Sequence, residues 1–215
     1  MQKRRRNVER SAQTRAQLIE GAIAALCERG YARSTTALIA ARAGVTTGAL
    51  HHHFPTKEDL LVAVLDRLSA DVSAQAGDVF AFSGRVGGDT ERAVRRLWTV
   101  YGAPRYRAAW EIIIGTNKDP AMRARMTRQR EESMNGLIAR WFADRQLGRR
   151  EQELVAAALQ SMLIAIRGLF LETYLDFPAA YYERQLALLS RTVAAQLEEV
   201  LGPRWRTPRP RARAA

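Results

Sequence analysis

Cysteine occurs once in the 215 residues, as Cys27. No intrachain disulfide can form, and a reducing compartment fits. In its Ala/Leu-rich segment, Cys27 reads as a small buried hydrophobe rather than a reactive thiol. Histidine occurs only as the run His51, His52, His53. Neither common glycine-rich phosphate loop is present, and no Ser, Cys or Asp motif offers a nucleophile with a positioned base, which argues against an enzyme. Alternating β-branched runs are nearly missing, which argues against sheets. No apolar run reaches the ~18 residues that span a bilayer. The basic start MQKRRRNVER is not followed by the apolar stretch of a secretory signal. The expectation is a cytoplasmic protein with no membrane partner and no cofactor.

What is present is hydrophobic residue enough for a core, 47% of the chain, and a large positive charge. The net charge is +12, unevenly spread. Residues 1–60 hold ten Lys or Arg against five acids, and residues 202–215 hold five Arg and no acid. Residues 61–201 are nearly balanced, with nineteen basic and seventeen acidic residues. Cations concentrated at the ends suit a polyanion, because bound phosphates release counterions. The C-terminal arginines taken alone fit a solubilising tail equally well.

Alanine, leucine, arginine and glutamate dominate, and apolar residues recur at helical spacing almost throughout, so the fold class is all-α. The pattern predicts helices over 11–29, ending at Gly30, and over 36–43, 47–54 and 57–76. Further helices are predicted near 90–103, 105–116, 121–146, 151–174 and 179–201. The glycine-rich 77–90 reads as a loop, residues 1–10 as a disordered basic arm and 202–215 as a disordered basic tail. The last two helices are apolar on more than one face, through Leu159, Ile166 and Phe170, then Leu186, Leu189 and Val193. A helix needing burial on two sides has two partners, one of which can be a second subunit.

Three consecutive histidines suggest metal, but successive helical residues point about 100° apart and cannot face one ion together. No further histidine and only one cysteine could complete a zinc site. The surrounding STTALIAARAGVTTGALHHHF is more informative. It gives two short helices joined at Ala43-Gly44-Val45, the arrangement of a helix-turn-helix. Ile39, Ala40, Leu50 and Phe54 face inward, Gly44 permits the sharp turn, and Thr46 caps the second helix. Thr47, Gly48, Ala49, His51 and His52 remain on the outer face, small or polar enough to approach phosphates and base edges.

The pattern IAxxAGVTxGALxxxFxxKEDLL over residues 39–61, preceded by a first helix and the GYARSTT turn, resembles the TetR family of bacterial transcriptional regulators. The resemblance covers about residues 11–65. Positions 51 and 53, commonly tyrosine in that family, are histidine here. The resemblance implies an N-terminal three-helix DNA-binding domain over 11–56 and a larger helical ligand-binding and dimerisation domain over 57–201, with the helix from 57 linking the two. It implies DNA contacts from Thr35, Thr36, Thr46, Thr47, Gly48, Ala49, His51, His52, His53 and Lys57. It also implies a homodimer built on the last two helices, a double-stranded operator, and a small-molecule effector bound among the middle helices. Candidate lining residues are Trp98, Tyr101, Trp110, Glu111, Met126, Trp141, Met162 and Arg167. From the residues alone, aromatic and Met positions at helical spacing are more often core than ligand contacts, and Glu111 and Arg167 fit surface or interface equally well. A ligand-relieved repressor is the expected function; a helix-turn-helix activator or architectural protein without an inducer is the alternative.

Overall fold

The computed structural model describes residues 2–76, 79, 83–142 and 147–206. Every regular element among them is helical: α1 Gln2–Arg33, α2 Thr36–Arg42, α3 Thr47–His53, α4 Lys57–Gln75, α5 Val86–Tyr101, α6 Arg107–Gly115, α7 Pro120–Trp141, α8 Arg149–Leu171 and α9 Ala179–Leu201. Short 3-10 turns occupy Pro104–Tyr106, Glu172–Tyr174 and Gly202–Arg206.

Local chemistry sets several starts. Asp119 Oδ1 accepts from the N–H groups of Ala121 and Met122, 2.9 and 3.2 Å away, and Pro120 opens α7 without needing a donor of its own. Thr56 and Asp59 form a reciprocal capping box at the start of α4. The Asp59 N–H donates to Thr56 Oγ1 at 3.1 Å, and the Thr56 N–H donates back to Asp59 Oδ2 at 3.2 Å.

Two compact units divide the chain. The first takes Met1–Asp71 with Ala103–Glu132. Its buried side chains include Leu18, Leu26, Ile39, Leu50, Leu60 and Ile112, and α6 packs along α1. Arg105 donates to both Glu20 oxygens at 2.9 and 3.1 Å and lies 3.0 Å from Asp71, tying the turn before α6 to α1 and α4. The second unit takes Val72–Gly102 with Ser133–Ala215. There α5 and α8 both pack on α9, burying Leu97, Leu159, Met162, Ile166, Leu186, Val193 and Leu197.

Four sequence expectations change. Residues 2–10 continue α1 rather than forming a disordered arm, since Gln, Lys, Arg and Glu are good helix formers extending an established helix. Helix α5 begins at Val86, so Gly87 and Gly88 lie in its first turn, where Val86, Asp89 and Thr90 are buried. Trp205, expected in a disordered tail, is 1% exposed. Its indole N–H donates to Asp89 at 2.9 Å and its ring meets Phe142 edge-on; residues 207–215 of the tail lie outside the described residues. Finally, Arg149–Tyr174 is long and apolar enough to cross a membrane, with mean hydropathy 1.9 over an 18-residue window. Gln160, Ser161 and Arg167 stand within this helix. Only 44% of the window is buried, so an apolar face is left over.

Candidate nucleic-acid interface

The α2–α3 pair is built as its sequence suggests. Thr35 Oγ1 accepts from the Leu38 N–H at 3.2 Å and opens α2. Gly44 takes φ 67°, a left-handed conformation that glycine adopts without a Cβ clash. The Val45 N–H then closes back on Ala40 O at 3.0 Å. Thr46 Oγ1 accepts from the Ala49 N–H at 3.1 Å and opens α3. Ile39, Ala40, Leu50 and Phe54 are all buried, at most 2% exposed, so the opposite face of α3 is turned outward.

That outer face carries Thr46, Thr47, Gly48, His51 and His52, all exposed. Ala49 and His53 are half-buried, and the His53 ring sits edge-on to His52 at 5.5 Å. Thr35 is exposed and Thr36 half-buried at the start of α2. Two of the threonines therefore already spend a lone pair on capping, while Thr47 projects freely from the first turn of α3. Small side chains at 47–49 leave the backbone close to any docked surface.

Cations flank this face. Arg15 of α1 lies 4.9 Å from the Phe54 ring, beside the end of α3. Arg42 pairs with Glu28, which holds that carboxyl below the usual range. Lys57 is half-buried at the start of α4, its Nζ 4.3 Å from the Tyr31 ring centroid. Burial there pushes the Lys57 ammonium below its ordinary pKa, opposed by the nearby Glu58. Arg15 and Tyr31 were not among the sequence candidates. Only their proximity in the fold marks them, although Tyr31 stands in the GYARSTT turn.

The eight ligand candidates divide between the units. Trp110, Glu111 and Met126 belong to the first; Trp98, Tyr101, Trp141, Met162 and Arg167 belong to the second. Trp141 is committed to the core, its indole N–H donating to Ala76 O at 2.7 Å, and Met162 is fully buried. Trp98 stacks on Tyr182 at 5.8 Å. Glu111, a candidate for orienting a ligand, accepts the Tyr31 N–H at 3.0 Å. An open groove of about 540 Å³ on α5 is lined by Gly88, Glu91, Arg92, Arg95, Arg96 and Thr99, none of them a candidate.

Most of the expected dimer residues are buried within the single chain. Leu159, Ile166, Phe170, Leu186 and Val193 are at most 4% exposed within the single chain, and Leu189 is half-buried. They pack α8 and α9 against their own neighbours. The face of α8 left open carries Leu154, Ala157, Ser161, Ile164, Ala165 and Gly168, with Leu188 exposed on α9. Spacings of three and four residues among small side chains could have marked it.

Comparison with known proteins agrees with this geometry. Residues 18–64 match the model of the bacterial regulatory proteins, tetR family. Over 185 residues the chain is 26% identical to the HTH-type transcriptional regulator CymR of Pseudomonas putida, covering 85% of this chain and 90% of that one. Over 64 residues, 30% of each chain, it is 52% identical to the HTH-type transcriptional regulator TtgR, also of Pseudomonas putida. In fold it is similar to a putative TetR-family transcriptional regulator from Mesorhizobium loti, with TM-score 0.62, 22% identity, and coverage of 89% of this chain and 96% of that one. The motif over 39–61, the exposed face of α3 and these matches together identify residues 18–64 as the region shared with the bacterial regulatory proteins of the tetR family, on a chain whose fold is similar to that of TetR-family regulators.

Proposed function

We propose that this regulator is a cytoplasmic repressor that binds a palindromic operator as a homodimer and is released by a small molecule. The observation that carries the DNA reading is the outer face of α3, where Thr47, Gly48, His51 and His52 are exposed above a fully buried Leu50. His51 and His52 offer ring nitrogens to base edges, while backbone N–H groups and Lys57 suit phosphates. The open apolar face of α8, with Leu188 of α9, supports the homodimer. Small residues there let two helices approach closely, and Leu154 and Ile164, 47 and 54% exposed, supply area to bury.

Two copies present two α3 helices to half-sites about 34–36 Å apart, a separation that tolerates little change. A small molecule that binds one setting of the middle helices better than another shifts the population away from the DNA-competent state. Selection of bound fragments from genomic DNA tests the reading. A palindromic consensus bound by a species of twice the chain mass is expected. Fragments without a shared sequence would overturn operator recognition, and a monomer at micromolar concentration would overturn the dimer.

A further inference from the structure

Helix α1 does not run smoothly into the helix-turn-helix. At Gly30 the backbone turns to φ 72° and ψ 173°, a kink in the helix just before the Tyr31 N–H. Glu111 of α6 meets that N–H, its Oε2 accepting at 3.0 Å. The Tyr31 side chain lies close against Gly115 at the end of the same helix. A Cβ at Gly115 would stand 2.1 Å from the ring's Cγ, so only glycine leaves room. Tyr31 is thus held by α6 at its backbone and at its ring.

Tyr31 in turn holds Lys57. The ammonium sits 4.3 Å from the ring centroid and 3.5 Å from Tyr31 O. A lysine on the surface loses the freedom of a long flexible stem when it pairs with a phosphate. Here the π-face and the carbonyl fix that stem beforehand. A second tie reaches the same helix start, where Arg125 of α7 donates to Asp59 at 2.9 Å, the acid of the α4 capping box.

We propose that Tyr31 and Glu111 are positioning residues for the Lys57 ammonium, so that the seating of α6 on Tyr31 sets the strength of the phosphate contact. The proposal rests on the DNA-binding reading above. Movement of α6 that withdraws Glu111 and Gly115 frees Tyr31, and Lys57 then meets DNA as an unheld side chain.

A double-mutant cycle on the full chain tests it, with a random-sequence duplex as the probe and affinity measured across a salt series. Lys57→Ala lowers the slope of log affinity against log salt by about 1. Tyr31→Leu and Glu111→Ala each weaken binding roughly 3- to 10-fold, while Tyr31→Phe, which keeps the ring, binds as the unaltered chain does. In the Lys57→Ala background neither Tyr31→Leu nor Glu111→Ala weakens binding further, because the group they position is gone. Equal losses with and without Lys57 would overturn the proposal, as would undiminished binding by both single variants. If Tyr31→Leu does not fold, Glu111→Ala runs the same cycle from a partly exposed position. An unaltered chain that fails to bind duplex at low salt removes the DNA reading itself. Binding with an unchanged slope for Lys57→Ala leaves that reading and removes this inference.

Discussion

The two compact units bury the same kinds of residue and leave opposite kinds uncovered. Along α3 the open face is short-chained and polar, Thr46, Thr47, Gly48, His51 and His52. Along α8 beyond its first turns it is apolar, Leu154, Ala157, Ile164 and Ala165, with Ser161 and Gly168 among them. A hydrated polyanion fits the first face, where affinity comes from charge and hydrogen bonds. A dry surface of matching shape fits the second, where it comes from area removed from water. Core and open face are therefore separable by substitution in each unit.

The largest expected effect is at α8. Ile164→Arg places a charge in the proposed subunit contact, and sedimentation at micromolar concentration should show a monomer. Operator affinity should fall by about 100-fold or more, because two linked half-site contacts become one. Leu159→Ala, one turn away but fully buried, should instead cost about 2–5 kcal/mol of stability while the folded fraction keeps its mass. If both variants lower the mass alike, the open and buried faces of α8 are not separate.

Trp205→Ala comes next. It removes a large buried ring and one of the donors to Asp89, so urea unfolding should report a loss of about 3–5 kcal/mol. A chain ending at Gly202 should lose a similar amount. An unchanged midpoint would mean that the Gly202–Arg206 turn does not hold the second unit together.

On α3 the effects are smaller and of different kinds. His52→Ala should relax preference at one base position per half-site by about 1–3 kcal/mol, read from affinities for a panel of operator variants. A uniform loss across the panel would make His52 a phosphate contact. Thr46→Ala should cost about 1 kcal/mol of stability through the lost cap. Thr47→Ala should change stability by less than about 0.5 kcal/mol and show its effect on DNA alone.

The smallest expected effect concerns acid. Hydrogen bonds from Arg105 hold the Glu20 carboxyl below its ordinary value, and hydrogen bonds from Thr56 and Arg125 do the same for Asp59. A depressed folded-state pKa adds stability above the unfolded value, about 4, and that stability is lost as pH falls through the folded one. Arg105→Gln should therefore move acid unfolding to higher pH and leave stability above pH 6 little changed in its pH slope. An acid transition that does not move would show the ion pair to be too solvent-screened to matter.

Legibility in the sequence followed the same division. The helix-turn-helix was readable because its residues act locally: Thr46 caps the helix it precedes, Gly44 turns the backbone it belongs to, and Leu50 and Phe54 sit at fixed helical spacing. The second unit was readable only as helices. Which of its apolar faces turns inward depends on how α5, α8 and α9 meet, so Leu159 and Ile166 read as interface when they are core. Trp205 looked disordered because Arg and Pro surround it, and its partner Asp89 lies over a hundred residues away. Glu111 looked like a ligand residue for the same reason: the N–H it serves belongs to Tyr31, on another helix.

The uncovered stripe on α8 bears on the life of a newly made chain. If the proposed homodimer forms, each chain carries until then a helix apolar enough to resemble a membrane segment. Chains made singly or at very low copy number would be the ones seen by chaperones and proteases, while paired chains hide the stripe. Abundance of this regulator would then respond to its own synthesis rate more steeply than in proportion. A modest rise in expression would lengthen the survival of every chain, and a modest fall would hasten its clearance.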